Sequence, residues 1–380
     1  MYKKYIVSGV SPGPAGVGRV VEYLKEHSLN TLFLLPPSGR IVLLKKAIKS
    51  FQISLIIKGL LEFYSYIIKN YIFKWKLKYI KNKNIIILHP QTIGFKTVMR
   101  LIDRNNVTIY IMDNSFFCIK SYNYNEILKS SCVLCLNMEY RNSEKYNCTP
   151  YPINYSYSEY YDFLDFLKDK SHKLRFLTQS KGQTELLKKQ FGELIQTQEI
   201  GLLTSDLFQD DVILKNEFEN FDIVFHGDAS LAKGGLYVFE LAKHLSQYTF
   251  LFPFLTEIHD IPENVTFKKM NWNTGLKEYI INSKLTFCPS IWAAPIEGSV
   301  LKTLKLSIPL AVFNTEFAFS NEIDDDAVIK LSGDLRKDIS IIDDFLKLKK
   351  EDRLIKGAKG KEYILNKINK MTENFNHTFR

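Results

Sequence analysis

The chain has 380 residues, 46% of them hydrophobic and 24% charged, which excludes a disordered or fibrous protein and, at this length, favours two domains with a core each. The formal net charge of +10 favours polyanionic partners, whether nucleic acid, anionic lipid or phosphorylated small molecules. The first apolar stretch ends by Pro12, and Lys58, Glu62 and Lys69 interrupt the most hydrophobic region, so neither an export signal nor a membrane span is expected and the compartment reads as cytosol.

Tyr5 to Ser8 reads as a strand running into a loop with Gly9, Gly13, Gly16 and Gly18. Val17, Val20, Val21 and Leu24 then fall at helical spacing, and Thr31 to Leu35 is a second strand. Residues 41–83 hold ten lysines against one acidic residue, Glu62, interleaved with Phe51, Phe63, Tyr64, Tyr66, Tyr71, Phe73 and Trp75. Leu44, Ile48, Phe51 and Leu55 repeat there at helical spacing, which fits a helix packed on the sheet, a peripheral membrane surface whose lysines reach lipid phosphates, or both. No nucleic-acid motif accompanies the charge, so nucleic acid is not the expected partner.

Strands at Ile85 to Leu88 and Val107 to Met112, with a helix at Thr97 to Ile102 between them, continue an α/β alternation that favours a parallel sheet. Cys118, Cys132, Cys135 and Cys148 form one CxxC with two outlying cysteines. Four thiolates suffice for a structural zinc, while the lack of a second CxxC favours reduced, buried thiols. A further strand, Arg175 to Thr178, enters a helix through a capping-box pattern at Ser180 and Gln183. From Gly201 the chain turns acidic around Asp206, Asp210 and Asp211, where the domain boundary is placed. Beyond it the pattern restarts with strand Phe221 to Phe225, a helix through Val238 and Ala242, strand Tyr248 to Phe252, strand Leu285 to Cys288, a helix from about Ser299 and strand Pro309 to Phe313. A lysine-rich helix through Ile364 and Ile368 closes the chain.

Ligands of open parallel sheets bind beyond the C-terminal strand ends, where helix N-termini offer free N–H groups to anions. Three loops have that placement. Gly13 to Arg19 is glycine-rich yet matches neither the Walker pattern nor GxGxxG, and its plain reading is a packing loop. His226 to Gly235 sets Lys233 at a helix start, either simply solvated or adding its ammonium to the field that would hold a diphosphate. Cys288 to Ser299 puts Glu297 before another helix, either as a cap or as an acceptor for ribose or sugar hydroxyls.

The run Phe225-His-Gly-Asp to Lys233-Gly234, followed by Cys288-Pro-Ser290 and Ile308-Pro309-Leu-Ala-Val, resembles the donor domain of GT-B glycosyltransferases of the family 4 type in order and spacing. Gly16-Val-Gly18-Arg19 resembles the acceptor-side loop of that family, and Phe176 to Gly182 the step before its interdomain linker. The resemblance implies an α/β GT-B fold, two Rossmann-like domains with parallel sheets facing a central cleft. Residues 1–200 would bind the acceptor, 201–219 link, 220–355 bind the nucleotide-sugar, and 356–380 form a helix crossing back.

It also implies that Lys233, Gly234 and Gly227 hold the donor diphosphate with Gly298 and Ser299, that Glu297 contacts the sugar or ribose, and that Gly16, Gly18 and Arg19 line the acceptor side. Transfer would proceed with retention, with no cofactor and no metal at the donor. The chain departs from the family at Asp228, where an arginine is usual, and at Lys302, which replaces a second glutamate and would itself contact phosphate. It departs again at Met112, which replaces the histidine of a His-Asp pair and leaves Asp113 with His89 as the alternative polar group. The implied activity moves a hexose or related sugar to a lipid-linked or growing saccharide at the cytoplasmic side of the inner membrane, during capsule or lipopolysaccharide assembly. A catalytically silent nucleotide-sugar-binding scaffold is the alternative.

Overall fold

Short runs of branched and aromatic residues, bounded by polar turns, form the central strands, which are largely buried on both faces, as parallel sheets demand. The computed structural model describes residues 4–14, 16–37, 53–152, 154–208, 220–255 and 260–380. Leu44, Ile48, Phe51, Asp210 and Asp211 lie outside the described residues.

The first sheet is built from β1 (Lys4–Ser8), β2 (Thr31–Leu34), β3 (Asn84–Leu88) and β4 (Asn106–Tyr110). After a small hairpin of β5 (Tyr124–Asn125) and β6 (Ser130–Ser131), it is completed by β7 (Arg175–Thr178) and β8 (Gln196–Glu199). Its order is β2-β1-β3-β4-β7-β8, with every pair parallel. The second sheet holds β9 (Ile223–Phe225), β10 (Phe250–Phe252), β11 (Val265–Phe267), β12 (Leu285–Phe287), β13 (Leu310–Phe313) and β14 (Ile329–Leu331). Its order is β11-β10-β9-β12-β13-β14, again parallel throughout. The chain is therefore an α/β protein with two parallel six-stranded sheets, as its alternating pattern predicts.

Seven helices position the site: α1 (Val17–His27), α2 (Ile53–Tyr79), α3 (Phe95–Arg104), α4 (Lys181–Phe191), α5 (Gly235–His244), α6 (Gly298–Lys305) and α7 (Lys350–Phe379). Ser180 caps α4 by accepting from the Gln183 N–H, but Gln183 turns its own Oε1 to the Gln179 N–H, one residue earlier than a reciprocal capping box requires. The last helix, α7, runs from one sheet to the other. Its Gly357 lies so close to Ser307 that an added Cβ would stand 2.0 Å from the carbonyl oxygen. At its far end Phe375 meets the Tyr23 ring at 5.1 Å, and the Leu29 N–H donates to Phe379 O at 3.3 Å. Leu24 of α1, Leu301 and Leu304 of α6, and Ile364 and Met371 of α7 consequently share one hydrophobic cluster, which ties the two sheets together.

Helix α2 has three distinct faces. Gly59, Phe73 and Leu77 are buried, Phe73 and Leu77 packing into the core of the first sheet. Ile57, Leu61, Tyr64, Ile68, Tyr71, Trp75 and Tyr79 recur every three or four residues on the opposite face, each more than half exposed. Exposed Lys58, Lys69 and Lys76 follow one flank of that stripe and Lys74 the other.

Candidate functional site

Strand order reverses between β9 and β12, so the loops leaving these two neighbours open a crevice at the C-terminal edge of the second sheet. The first loop carries His226 and Gly227 and leads through Lys233 and Gly234 into α5; the second runs from Cys288 to Glu297 and into α6. Gly234 is required at its place because it adopts φ +75° and a Cβ there would stand 2.2 Å from Pro289 O. Gly234→Ala is expected to cost at least about 2 kcal/mol of stability, read by chemical denaturation.

The two loops meet side chain to side chain. Lys233 Nζ pairs with Glu297 Oε1, which also accepts from Ser290 Oγ at 2.7 Å. Burial works against the Lys233 charge, yet the Glu297 carboxylate outweighs it and holds the ammonium above its ordinary range. Glu297 occupies the N-cap position of α6 but makes no capping hydrogen bond with its side chain, which reaches across to Lys233 instead. The α6 N–H groups therefore keep no carboxylate cap. Lys233 also lies 5.4 Å from the centre of the Trp292 ring, and Trp292 Nε1 is buried with no hydrogen-bond partner among the described residues.

A second cationic cluster flanks the first. Lys302 Nζ lies 2.5 Å and Arg19 Nη1 2.9 Å from Asp206 Oδ2, and Thr204 Oγ1 donates to Asp206 Oδ1 at 2.5 Å. Burial alone would raise the Asp206 carboxyl, but Lys302, Thr204 and Arg19 hold it below the carboxylate range. Arg19 extends from the start of α1 towards α6, where a Cβ on Gly298 would lie 3.8 Å from Arg19 Nη2. Arg19 Nε is also buried without a partner among the described residues. Asp206, read in the sequence only as a linker acid, is thus the shared counter-ion of residues from both halves. Lys302, expected to contact phosphate, is engaged by this carboxylate.

His226 reports the resulting field. It stacks on Trp272 with centroids 5.2 Å apart and bonds Thr303 Oγ1 through Nδ1 at 2.9 Å. Burial first, then the charges of Lys302 and Lys233, push its pKa from 6.5 down to about 3. The unfolded chain then binds more protons than the folded one below pH 6.5, so this contribution is intact above that pH and is lost as pH falls towards 3. Thermal midpoints measured across that window should fall, and His226→Gln should flatten part of the fall.

On the first sheet, β3 and β4 pair with Leu88 opposite Tyr110, which brings the residues just beyond their ends together. His89 Nε2 lies 3.5 Å from Asp113 Oδ2, and Gln91 Nε2 donates to the same oxygen at 2.8 Å. Burial favours protonation of Asp113, but hydrogen bonds from His89 and Ser115 keep its carboxyl below the usual range. His89 holds φ +54°, a left-handed conformation that non-glycine residues adopt at a cost and that concentrates at functional sites. The two residues that the sequence offers as alternatives thus form one pair.

Tyr122 bridges the two halves, packing edge-on against Trp292 at 4.5 Å within the electrostatic reach of Lys233, Asp113 and Glu297. Asn114 Nδ2 donates to Ala293 O at 2.8 Å, and the Ala293 N–H donates to Asn123 Oδ1 at 2.9 Å, which locks the same loops together. Asp228 makes no direct contact with the cluster among the described residues: it is exposed and accepts from the Ser230 N–H at 2.9 Å, and its charge adds to the field at Lys233 and Tyr122. Gly16 starts α1 at φ +50°, and Gly18 backs onto Gly13 of the same loop. Gly227 lies beside the Phe225 ring, and Ser299 bonds the buried Cys288 thiol.

No protein-family model matches the chain, and no curated protein matches it in sequence. In fold it matches solved structures along its whole length. HepE from Anabaena, solved with UDP-glucose, aligns with a TM-score of 0.60 at 10% identity over 99% of each chain. Sucrose-phosphate synthase from Thermosynechococcus elongatus aligns with a TM-score of 0.58 at 11% identity, over 98% of this chain and 97% of that one. OtsA in its apo form aligns with a TM-score of 0.57 at 11% identity, over 100% of this chain and 99% of that one. The chain has the GT-B fold of these glycosyltransferases.

Proposed function

We propose that the protein is a glycosyltransferase that moves a hexose or related sugar from a nucleotide-sugar to a lipid-linked or growing saccharide. The observation that carries this reading is the convergence of Lys233, Arg19 and the uncapped N-terminus of α6 on the β9–β12 crevice. Cleaving a bond to a nucleoside diphosphate places growing negative charge on the β-phosphate, and preorganised cations and N–H groups are what stabilise such charge. Lys233 moves from Glu297 to the phosphate, which frees the carboxylate for sugar or ribose hydroxyls. Trp292 Nε1 and the N–H groups of Gly298 and Ser299 supply neutral donors. Lys302 and Arg19 add positive field once they share Asp206 with the ligand. This set does the electrostatic work of a divalent ion, so the proposed transfer is metal-independent and, as in the family the sequence resembles, retaining.

The His89–Asp113 pair, with Gln91, faces the acceptor side and orients the incoming hydroxyl. HepE was solved with UDP-glucose, and an E. coli relative in fold with UDP-2-fluoro glucose, which makes a UDP-sugar the first donor to try. Incubation with UDP-, GDP- and CMP-sugars should release nucleotide slowly from one class of donor. Binding without release, even with lipid-linked acceptors supplied, would make the chain a nucleotide-sugar-binding scaffold instead.

Among the described residues no helix is long and apolar enough to cross a membrane. The exposed stripe of α2 suits peripheral docking on the cytoplasmic face, because lysines on its flanks complement anionic headgroups while its apolar face enters the acyl boundary. Docking of this kind would bring the acceptor domain to a lipid-borne substrate of capsule or lipopolysaccharide assembly.

A further inference from the structure

We propose that Cys118, Cys132, Cys135 and Cys148 form a structural zinc site that fastens the loop roofing the cleft. The chain between β4 and α4 carries Asn114, Tyr122 and Asn123 onto Ala293 and Trp292, so it helps shape the reaction crevice. Yet the described residues of 111–156 contain little regular structure beyond the two-residue strands of the hairpin and one helical turn, Asn142–Lys145. Ordering such a segment without a sheet or long helix calls for a cross-link or a small core.

All four cysteines line one small, largely enclosed cavity. They reach it from three separate stretches of chain: the turn at Cys118, the pair Cys132 and Cys135 beyond the hairpin, and Cys148 after the helical turn. All four are free cysteines, and no carboxylate or imidazole joins them in the cavity wall. A set of four soft sulfur ligands with nothing harder beside it suits zinc, held tetrahedrally at about 2.3 Å.

Cys118, Cys135 and Cys148 turn their sulfurs to the carbonyls of Tyr122, Tyr140 and Tyr146, and among the described residues no three His, Cys, Asp or Glu side chains are already arranged to hold a metal ion. Closing the site around a metal requires these sulfurs to rotate between staggered χ1 wells. The backbone N–H of Lys120 meets Cys118 and that of Ser143 meets Cys135, the kind of contact that steadies metal-bound sulfur. The Lys120 ammonium lies near Cys148, where it is paired with Glu126 at 2.6 Å. On binding, four S–H bonds break, four Zn–S bonds form and four protons pass to solvent, with no change of oxidation state.

The test is metal analysis of the full chain purified under reducing conditions without chelator, with about one zinc per chain expected. Cys132→Ser with Cys135→Ser should bring zinc below about a tenth of an equivalent. Should that variant not fold, cobalt(II) added to the metal-free wild-type chain should give the intense visible bands and thiolate charge-transfer absorption of a tetrahedral sulfur site. Less than about a tenth of an equivalent of zinc in the wild type, a full equivalent in the double variant, or a weak octahedral cobalt spectrum would each overturn the proposal.

Discussion

Replacing Lys233 with alanine should lower donor turnover at least about 100-fold, because it removes the cation proposed to face the leaving phosphate. The loss should fall mainly on kcat, since the charge it answers develops as the bond breaks. The substitution has a second effect that must be separated from the first: Glu297 is 8% exposed, and without Lys233 it becomes a buried, unpaired carboxylate. Breaking such a pair costs about 3–5 kcal/mol of stability. The double variant Lys233→Met, Glu297→Gln removes both charges and should recover much of that stability while leaving turnover as low as in Lys233→Ala. Denaturation midpoints beside nucleotide-release rates distinguish the two effects. Near wild-type turnover in the double variant would show that the lysine is there only to neutralise the glutamate.

Placing glutamate at Leu61, Ile68 and Trp75 of α2 should abolish binding to anionic vesicles. These three side chains are 67%, 53% and 53% exposed, so they contribute little to the folded core and the thermal midpoint should stay within a few degrees. Each apolar side chain entering a bilayer contributes about 1.5–3 kcal/mol when fully buried. Losing three, even partly inserted, should reduce partitioning at least about 100-fold. Wild-type binding should weaken as salt rises, because the flanking lysines act through screened charge. Sedimentation with vesicles containing anionic lipid, against neutral vesicles, reads both effects. A wild-type chain that dimerises through α2 and ignores vesicles would assign the stripe to a second copy instead.

The helix starts that carry Lys233 and Glu297 were legible because each follows a short apolar strand and a glycine-bearing loop, a local pattern. Their pairing was not, since it joins residues 64 positions apart and depends on β9 lying beside β12. Asp206 illustrates the same limit. In the sequence it is one acid in a segment that loses periodicity, and only the fold sets it between Arg19 and Lys302. His89 and Asp113 looked like competing candidates because strand neighbours cannot be read from strand order along the chain; the pairing of β3 with β4 unites them. In α2 the lysines that interrupt the apolar run hid its length, whereas on a helix they fall to the flanks and leave the stripe continuous.

The most direct measurement is a structure with the turned-over nucleotide-sugar bound. Its diphosphate should lie within hydrogen-bond reach of Lys233 Nζ and the N–H groups of Gly298 and Ser299, with the Lys233–Glu297 pair opened. A nucleotide seated away from the β9–β12 crevice, or one that leaves that pair closed and untouched, would contradict this placement.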